Sequence, residues 1–329
     1  MKKWLKILFF RVLPVILVIL FVGFSYYSSS ITLSPKRRQL QEYHQQILQS
    51  PHAYGLSYSR ETSRDGMPYL ICEPHPHEVA KKSRELIAEL EKRGVALAPW
   101  GQIRGTIIAL HGHKGRKEDV LPICERFCAA GFRCLCPDLP AHGENAMPIM
   151  TFGKQEVPLL RNLWTEHLQK HPQHQQPLFF FGYSQGGAIS LQAAADTTVW
   201  NAAGVASVNS FATLDCPILS SASYLPEILR PLSAITTGAC GIGIKCQVGS
   251  WPSEIGPLAR ISQISCPTMI VHGEKDRFVP VAQGDCLFHA ISHQKKSRVI
   301  VPNGTHGGTL ATGSTALYAD VCHWFLKAL

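Results

Sequence analysis

The stretch Phe179-Phe180-Phe181-Gly182-Tyr183-Ser184-Gln185-Gly186-Gly187-Ala188 decides how this chain folds. An apolar run stops at a glycine, turns through a serine and passes into Ala188-Ile189-Ser190-Leu191-Gln192-Ala193-Ala194-Ala195, a helix-forming segment. Gly182, Ser184 and Gly186 have the G-x-S-x-G spacing of a strand–turn–helix that lifts a serine hydroxyl above the sheet edge. The serine sits on a strained backbone, and glycines beside it leave room for the neighbouring strand and helix. A glycine-rich turn that binds phosphate, or merely packs tightly, shows the same pentapeptide. Three further segments separate these readings.

A serine hydroxyl needs a base within hydrogen-bond reach, and the base needs an orienting carboxylate. Downstream, the apolar run Thr268 to Val271 enters a polar loop, His272-Gly273-Glu274-Lys275-Asp276-Arg277-Phe278-Val279-Pro280. Asp276 is the expected acid, with Glu274 and Asp285 as competitors. The short strand Arg298-Val299-Ile300-Val301-Pro302 then leads to Asn303-Gly304-Thr305-His306-Gly307-Gly308, which offers His306 as the base. Upstream, Gly105-Thr106-Ile107-Ile108-Ala109-Leu110 reads as a strand and His111-Gly112-His113-Lys114-Gly115 as the loop after it. The backbone N–H groups of His113 and Gln185 are the expected oxyanion donors. His111 and His113 lack a carboxylate or cysteine at a supporting spacing, so loop structure is preferred to a metal site.

These blocks, with Pro137-Asp138-Leu139-Pro140-Ala141-His142-Gly143-Glu144-Asn145, resemble those of the α/β-hydrolase superfamily, in particular its serine-aminopeptidase-like and monoacylglycerol-lipase-like branch. The resemblance covers about residues 55–329. It implies a mainly parallel sheet covered by helices on both faces, a Ser184–Asp276–His306 triad, and no metal or organic cofactor. One departure stands out: alanine occupies position 141, where the family's Asp-x-x-Gly-His-Gly loop has glycine. The dienelactone-hydrolase branch uses a cysteine nucleophile, and position 184 is serine.

Composition allows a large core, with 45% apolar and 17% charged residues in 329. Lys and Arg outnumber Asp and Glu, 32 to 23, yet no arginine-rich helix or aromatic–basic interleaving points to nucleic acid. Much of the excess lies at the N-terminus (Lys2, Lys3, Lys6, Arg11, Lys36, Arg37, Arg38), where a membrane surface is the simpler partner. Of the 11 cysteines none forms a C-x-x-C pair. Cys134 and Cys136 alternate in an apolar strand, Cys124 and Cys128 share a helical face, and Cys240 with Cys246, in a glycine-bearing loop, is the best disulfide candidate.

Residues 1–30 read as a targeting element: a positive leader, Met1 to Lys6, precedes uninterrupted apolar sequence from Val12 to Phe24, which Ile7 to Phe10 extends across Arg11, and the stretch Ile7 to Tyr27 is long enough to span a bilayer. An uncleaved single-pass anchor is preferred. A signal peptide cut near Gly23 to Ser30, releasing a secreted or periplasmic protein, is the alternative. Lys36-Arg37-Arg38 beyond the segment weakens an orientation with the N-terminus inside. Residues 31–54 read as a juxtamembrane linker with a helix from Arg38 to Leu48, and 55–329 as the hydrolase domain. That domain opens on a hairpin around Arg64-Asp65-Gly66, followed by a helix Glu78–Arg93 and alternating strands and helices, among them Lys117–Ala130 and Phe152–Lys170. Alternation breaks over about 211–264, where a lid is the expectation.

The resulting expectation is a membrane-attached serine hydrolase cleaving an ester or thioester, with a lipid-like acyl substrate favoured. A peptidase of short peptides and an inactive binding protein of the same fold are the alternatives. The residues do not specify the acyl group, the leaving group or the oligomeric state.

Overall fold

The apolar runs become eight strands of one sheet in the order β1-β2-β4-β3-β5-β6-β7-β8. The computed structural model describes residues 8–198, 200–223 and 226–329; the positive leader, and Tyr224 and Leu225 of the expected lid, lie outside the described residues. β1 (Leu56–Thr62) and β2 (Pro68–Pro74) form the antiparallel hairpin expected around Gly66, and β2 pairs antiparallel with β4 (Phe132–Pro137). From there β3 (Gly105–Leu110), β5 (Leu178–Tyr183), β6 (Ala202–Val208), β7 (Thr268–Gly273) and β8 (Lys296–Val301) run parallel.

The triple phenylalanine shows why β5 lies centrally. Phe179 and Phe181 point into one core layer, where Phe127, Phe132 and Phe325 meet them edge-on or tilted. Phe180 points into the other, beside Trp200. A strand buried on both faces must be apolar throughout, which is the pattern of a parallel sheet sandwiched between helices.

Ten α-helices are described: α1 (Leu13–Leu33), α2 (Glu42–Gln49), α3 (Lys81–Lys92), α4 (Leu121–Ala129), α5 (Glu156–Lys170), α6 (Gln185–Ala194), α7 (Asp215–Ser223), α8 (Ser233–Val248), α9 (Val281–Ala290) and α10 (Thr309–Leu326). The helices expected from Arg38, Glu78 and Lys117 begin at Glu42, Lys81 and Leu121, and two further segments differ for local reasons. The segment expected to be helical from Phe152 starts only at Glu156, because Phe152 and Gly153 both have positive φ. The Glu156 carboxylate accepts from the Thr151 and Gly153 amides, so the preceding turn is capped rather than helical. The glycine-bearing stretch 238–246, read as a loop, lies wholly within α8. Cys240 and Cys246 therefore stand six residues apart on one helix, about 9 Å along its axis. That exceeds the Cα separation a disulfide spans, so the expected pair does not form.

Residues 34–41 are extended and tied down. The Arg37 guanidinium donates to the carbonyls of His142, Gly143, Asn145 and Met147, and Arg38 pairs with Asp119. His44 and Tyr43 of α2 also reach Asp119. Two of the basic residues just past the apolar segment thus have fixed partners in the fold, a role independent of membrane orientation.

Burial has an energetic consequence at Glu125 of α4. Removal from water pushes its carboxyl up to about 7, with Arg126 at 3.4 Å offsetting only part of the cost. A carboxyl raised in the folded state destabilises the fold as pH climbs from its unfolded value near 4.5 through 7. Glu125→Gln is therefore expected to raise the melting temperature at pH 8 by a few degrees and leave it unchanged at pH 4. Thermal unfolding at both pH values checks this; an equal shift at both would show that the charge is not responsible.

Candidate active site

The elbow begins where β5 ends. Ser184 has φ 53° and ψ −116°, a left-handed conformation costly for a residue with a side chain, and its amide still donates to the Val208 carbonyl at 2.7 Å. The glycines are required by space. A Cβ on Gly182 would strike the Gly186 carbonyl, and one on Gly186 would strike the carbonyls of Leu110 and His111 at the end of β3. The turn can be this tight only because strand, helix and neighbouring strand touch through backbone.

Three strand ends bring the expected triad together. Ser184 Oγ lies 3.0 Å from His306 Nε2, and His306 Nδ1 lies 2.7 Å from Asp276 Oδ2. The other carboxylate oxygen of Asp276 accepts from the Phe278 and Val279 amides at 3.0 and 2.8 Å, which fixes the carboxylate's direction. The competitors lie elsewhere: Glu274 accepts from the Asn303 amide, and Asp285 pairs with Arg298. Phe278 packs against the His306 ring at 5.0 Å between centroids.

The loop after β3 lies against the elbow, so that a Cβ on Gly112 would sit 3.6 Å from the Ser184 Cβ. Gln185 is the first residue of α6, and its N–H is one of those a helix start leaves free. Among the described residues the His113 amide has no acceptor either. Both residues line a small chamber over Ser184 with Phe152, Phe211, Ile218 and Phe278. Two such N–H groups beside a serine hydroxyl have the placement that suits a developing oxyanion.

Histidines brace this loop through hydrogen bonds to backbone groups. His142 Nδ1 donates to the Pro140 carbonyl, leaving Nε2 to accept from the Lys114 amide at 3.1 Å. His111 Nε2 accepts from the Leu139 amide, and His113 Nε2 donates to the Thr32 carbonyl at 3.0 Å. Burial lowers the pKa of all three, keeping them neutral and able to accept. Below them, Lys117 is buried between Asp138 and Glu144, at 2.8 and 2.7 Å. Asp138 also accepts from the Glu144 amide, and a Cβ on Gly143 would collide with that carboxylate. Ala141, where the family pattern has glycine, does adopt φ 65°. The substitution keeps the loop shape against a cost of about 1–2 kcal/mol.

Three features of the site escape sequence reading. Asn209, just past β6, accepts from the Gly273 amide and donates to the His306 carbonyl and Thr309, joining the acid and base loops. His272 lies 3.7 Å from Asp276 and donates to the Val279 carbonyl, buttressing the acid loop. Thr32, at the end of α1, reaches the oxyanion loop. Only Asn209 left a signal, a polar residue ending an apolar strand.

Among the described residues one cluster has metal-ligand spacing: the Sγ atoms of Cys72, Cys124 and Cys136 lie within 4.8 Å of one another. Three thiolates at that spacing suit a soft ion. These thiols, however, sit fully buried in the apolar layer, with Cys124 Sγ 3.3 Å from Cys136 Sγ, and pack there among Phe127, Phe132 and Phe181 as small hydrophobes do.

A serine on a strand–helix elbow, with a histidine and an aspartate on later strand ends of a mainly parallel sheet, is the arrangement found in the α/β serine hydrolases. The chain belongs to the alpha/beta hydrolase family, whose sequence profile matches residues 107–320. It is 24% identical over 239 residues to the thermostable monoacylglycerol lipase of Bacillus sp. (strain H-257), covering 67% of this chain and 90% of that protein. The esterase Pf2001 of Pyrococcus furiosus superposes with a TM-score of 0.65 at 17% identity, covering 90% of this chain and 97% of that one. The acylaminoacyl peptidase of Pyrococcus horikoshii superposes with a TM-score of 0.55 at 13% identity, over 88% of this chain and 43% of that one.

Proposed function

We propose that the protein is a membrane-attached serine esterase acting on a carboxylic ester or thioester with a lipid-like acyl group. The observation that carries the reading is the unbroken relay from Asp276 through His306 to Ser184. In the reaction Ser184 Oγ attacks the carbonyl carbon while His306 Nε2 takes its proton. The His113 and Gln185 N–H groups hold the oxyanion, and Asp276 keeps the imidazole in the required tautomer. His306 then protonates the leaving alcohol or thiol. Water, deprotonated by the same nitrogen, cleaves the acyl-enzyme and returns the proton to Ser184.

Ester rather than peptide substrates are supported by the chamber's chemistry. A peptidase that recognises a free amino group needs a carboxylate, and the residues lining the chamber over Ser184 include no aspartate or glutamate. The bacillary relative is named a monoacylglycerol lipase, which points the same way.

Attachment is supported by the helix Phe9–Leu33, which contains an 18-residue stretch with a mean hydropathy of 2.2. Its outer part exposes apolar side chains, whereas Ser25, Ser29 and Leu33 are buried against the domain. A signal-peptidase cut near Ser30 would strip that packing, which favours an anchor that is kept.

Extending an acyl chain by four methylenes into apolar surroundings gains about 3 kcal/mol at about 0.8 kcal/mol each. Nitrophenyl esters of increasing chain length are accordingly expected to show kcat/KM about 100-fold higher for hexanoate than for acetate. Equal values for short and long esters would refute the lipid-like substrate.

A further inference from the structure

We propose that the N-terminal helix is a wall of the acyl-binding pocket, and that this pocket opens between the helix and the cap toward the bilayer, so that a single-chain lipid ester reaches Ser184 sideways from the membrane. The inference rests on Ser184 being the nucleophile and adds where the acyl chain lies.

The cap is the excursion between β6 and β7 that contains α7 and α8. Between it and α1 lies a cavity of about 500 Å³, lined by Ser28, Ile31 and Thr32 of α1 together with Ile218, Thr237 and Cys240 of the cap. That volume falls within the range of about 300–1,000 Å³ typical of ligand pockets. His113, Ile218, Ser221 and Phe278 line both this cavity and the chamber over Ser184, so the two adjoin. The reacting carbonyl would sit in the chamber and the acyl chain in the larger space beyond.

The helix is built into this wall. A Cβ on Gly243 would collide with the Ser25 carbonyl and the Ser29 hydroxyl, so α1 and α8 touch through backbone, as small residues allow between membrane helices. Gln247 donates to Ser29 Oγ at 2.6 Å, and Cys240 Sγ lies 3.8 Å from both Thr32 Oγ1 and the Ser28 carbonyl. The Leu33 carbonyl accepts from the Met150 amide at 2.8 Å, and the Thr32 carbonyl holds His113. The last turns of the helix thus belong to the same packed unit as the oxyanion loop.

Surface chemistry places the opening in lipid. Outward of the docked turns α1 exposes Val15, Ile16, Leu17, Val18, Ile19 and Leu20, and the cap's apolar surface continues that face. The cap's surface fits such a position: Leu219, Ile228, Leu232, Ile235 and Ile242 are all exposed, Ile228 at 86%. In water this many large apolar side chains on one small excursion would be a liability.

The test uses the full-length protein in detergent micelles, with nitrophenyl acetate and nitrophenyl laurate as paired substrates. Ser28→Phe and Ile31→Trp fill the pocket from the helix side; Ile19→Trp makes a similar change on an exposed position far from it. Both pocket variants are expected to lower the laurate-to-acetate ratio of kcat/KM at least tenfold, with acetate turnover and fluorophosphonate labelling within twofold of wild type. Ile19→Trp should leave the ratio unchanged. An unaltered ratio in both pocket variants would overturn the inference, as would an equal fall in Ile19→Trp or a parallel loss on both esters. A wild-type protein that neither labels nor hydrolyses either ester would instead refute the reading of Ser184, a failure visible before any variant is compared.

Discussion

Ser184→Ala is expected to abolish fluorophosphonate labelling and to lower kcat by about 10⁶-fold, the loss typical when a serine nucleophile is removed from an intact triad. The geometry makes the effect specific. Ser184 Oγ is the atom facing His306 Nε2 at 3.0 Å, and the serine is 6% exposed at the base of its chamber. Alanine removes one oxygen and leaves the backbone as it was. The β5–α6 packing through Gly182 and Gly186 does not involve the hydroxyl, so the variant should melt within a few degrees of wild type. Labelling and turnover measured alongside thermal unfolding separate chemistry from folding. A folded variant that retains a tenth of the activity would exclude Ser184 as nucleophile.

Asp276→Asn should cost nearly as much for a different reason. The carboxylate uses one oxygen for two backbone amides and the other for His306 Nδ1. An asparagine amide can satisfy only one side as an acceptor. If its oxygen keeps the Phe278 and Val279 amides, its NH₂ faces His306, and Nδ1 must then accept. That tautomer carries its proton on Nε2 and has no lone pair for the Ser184 hydroxyl. Loss of about 10⁴-fold in kcat with KM changed only a few fold is expected, as for the corresponding change in a serine protease triad. A loss below tenfold would mean that another carboxylate orients the base; Glu274 and Asp285, each engaged elsewhere, are the residues then to replace.

The parts of the site that local sequence encodes were legible and the parts assembled by packing were not. Ser184, Asp276 and His306 each follow an apolar run on a polar or glycine-flanked loop, so strand ends and chain order suffice to nominate them. Asn209 links the loops bearing the acid and the base from a third strand, across 64 to 100 positions of sequence, and no spacing rule reaches that far. Stretch 238–246 failed differently. Gly238, Gly241 and Gly243 read as a loop because glycine lowers helix propensity. In the fold Gly243 is what lets α8 lie against α1, and tertiary contact outweighs the local preference. The same contact hid the role of residues 25–33, which the sequence divides between the targeting segment and the linker yet which end against the loop after β3. Arg37, counted as a surface charge, is bonded to four backbone carbonyls of the loop that follows β4.

The central claim is that acyl transfer passes through the Ser184 hydroxyl, and the most direct test is to locate the covalent adduct. Full-length wild-type protein treated with a fluorophosphonate, digested and mapped by mass spectrometry should carry one modification, on the peptide containing Gly182-Tyr183-Ser184-Gln185-Gly186, with fragment ions placing it on Ser184. Prior protein unfolding should prevent the reaction, because the hydroxyl is reactive only beside His306. An adduct on a different residue, or none on folded protein, would contradict the account.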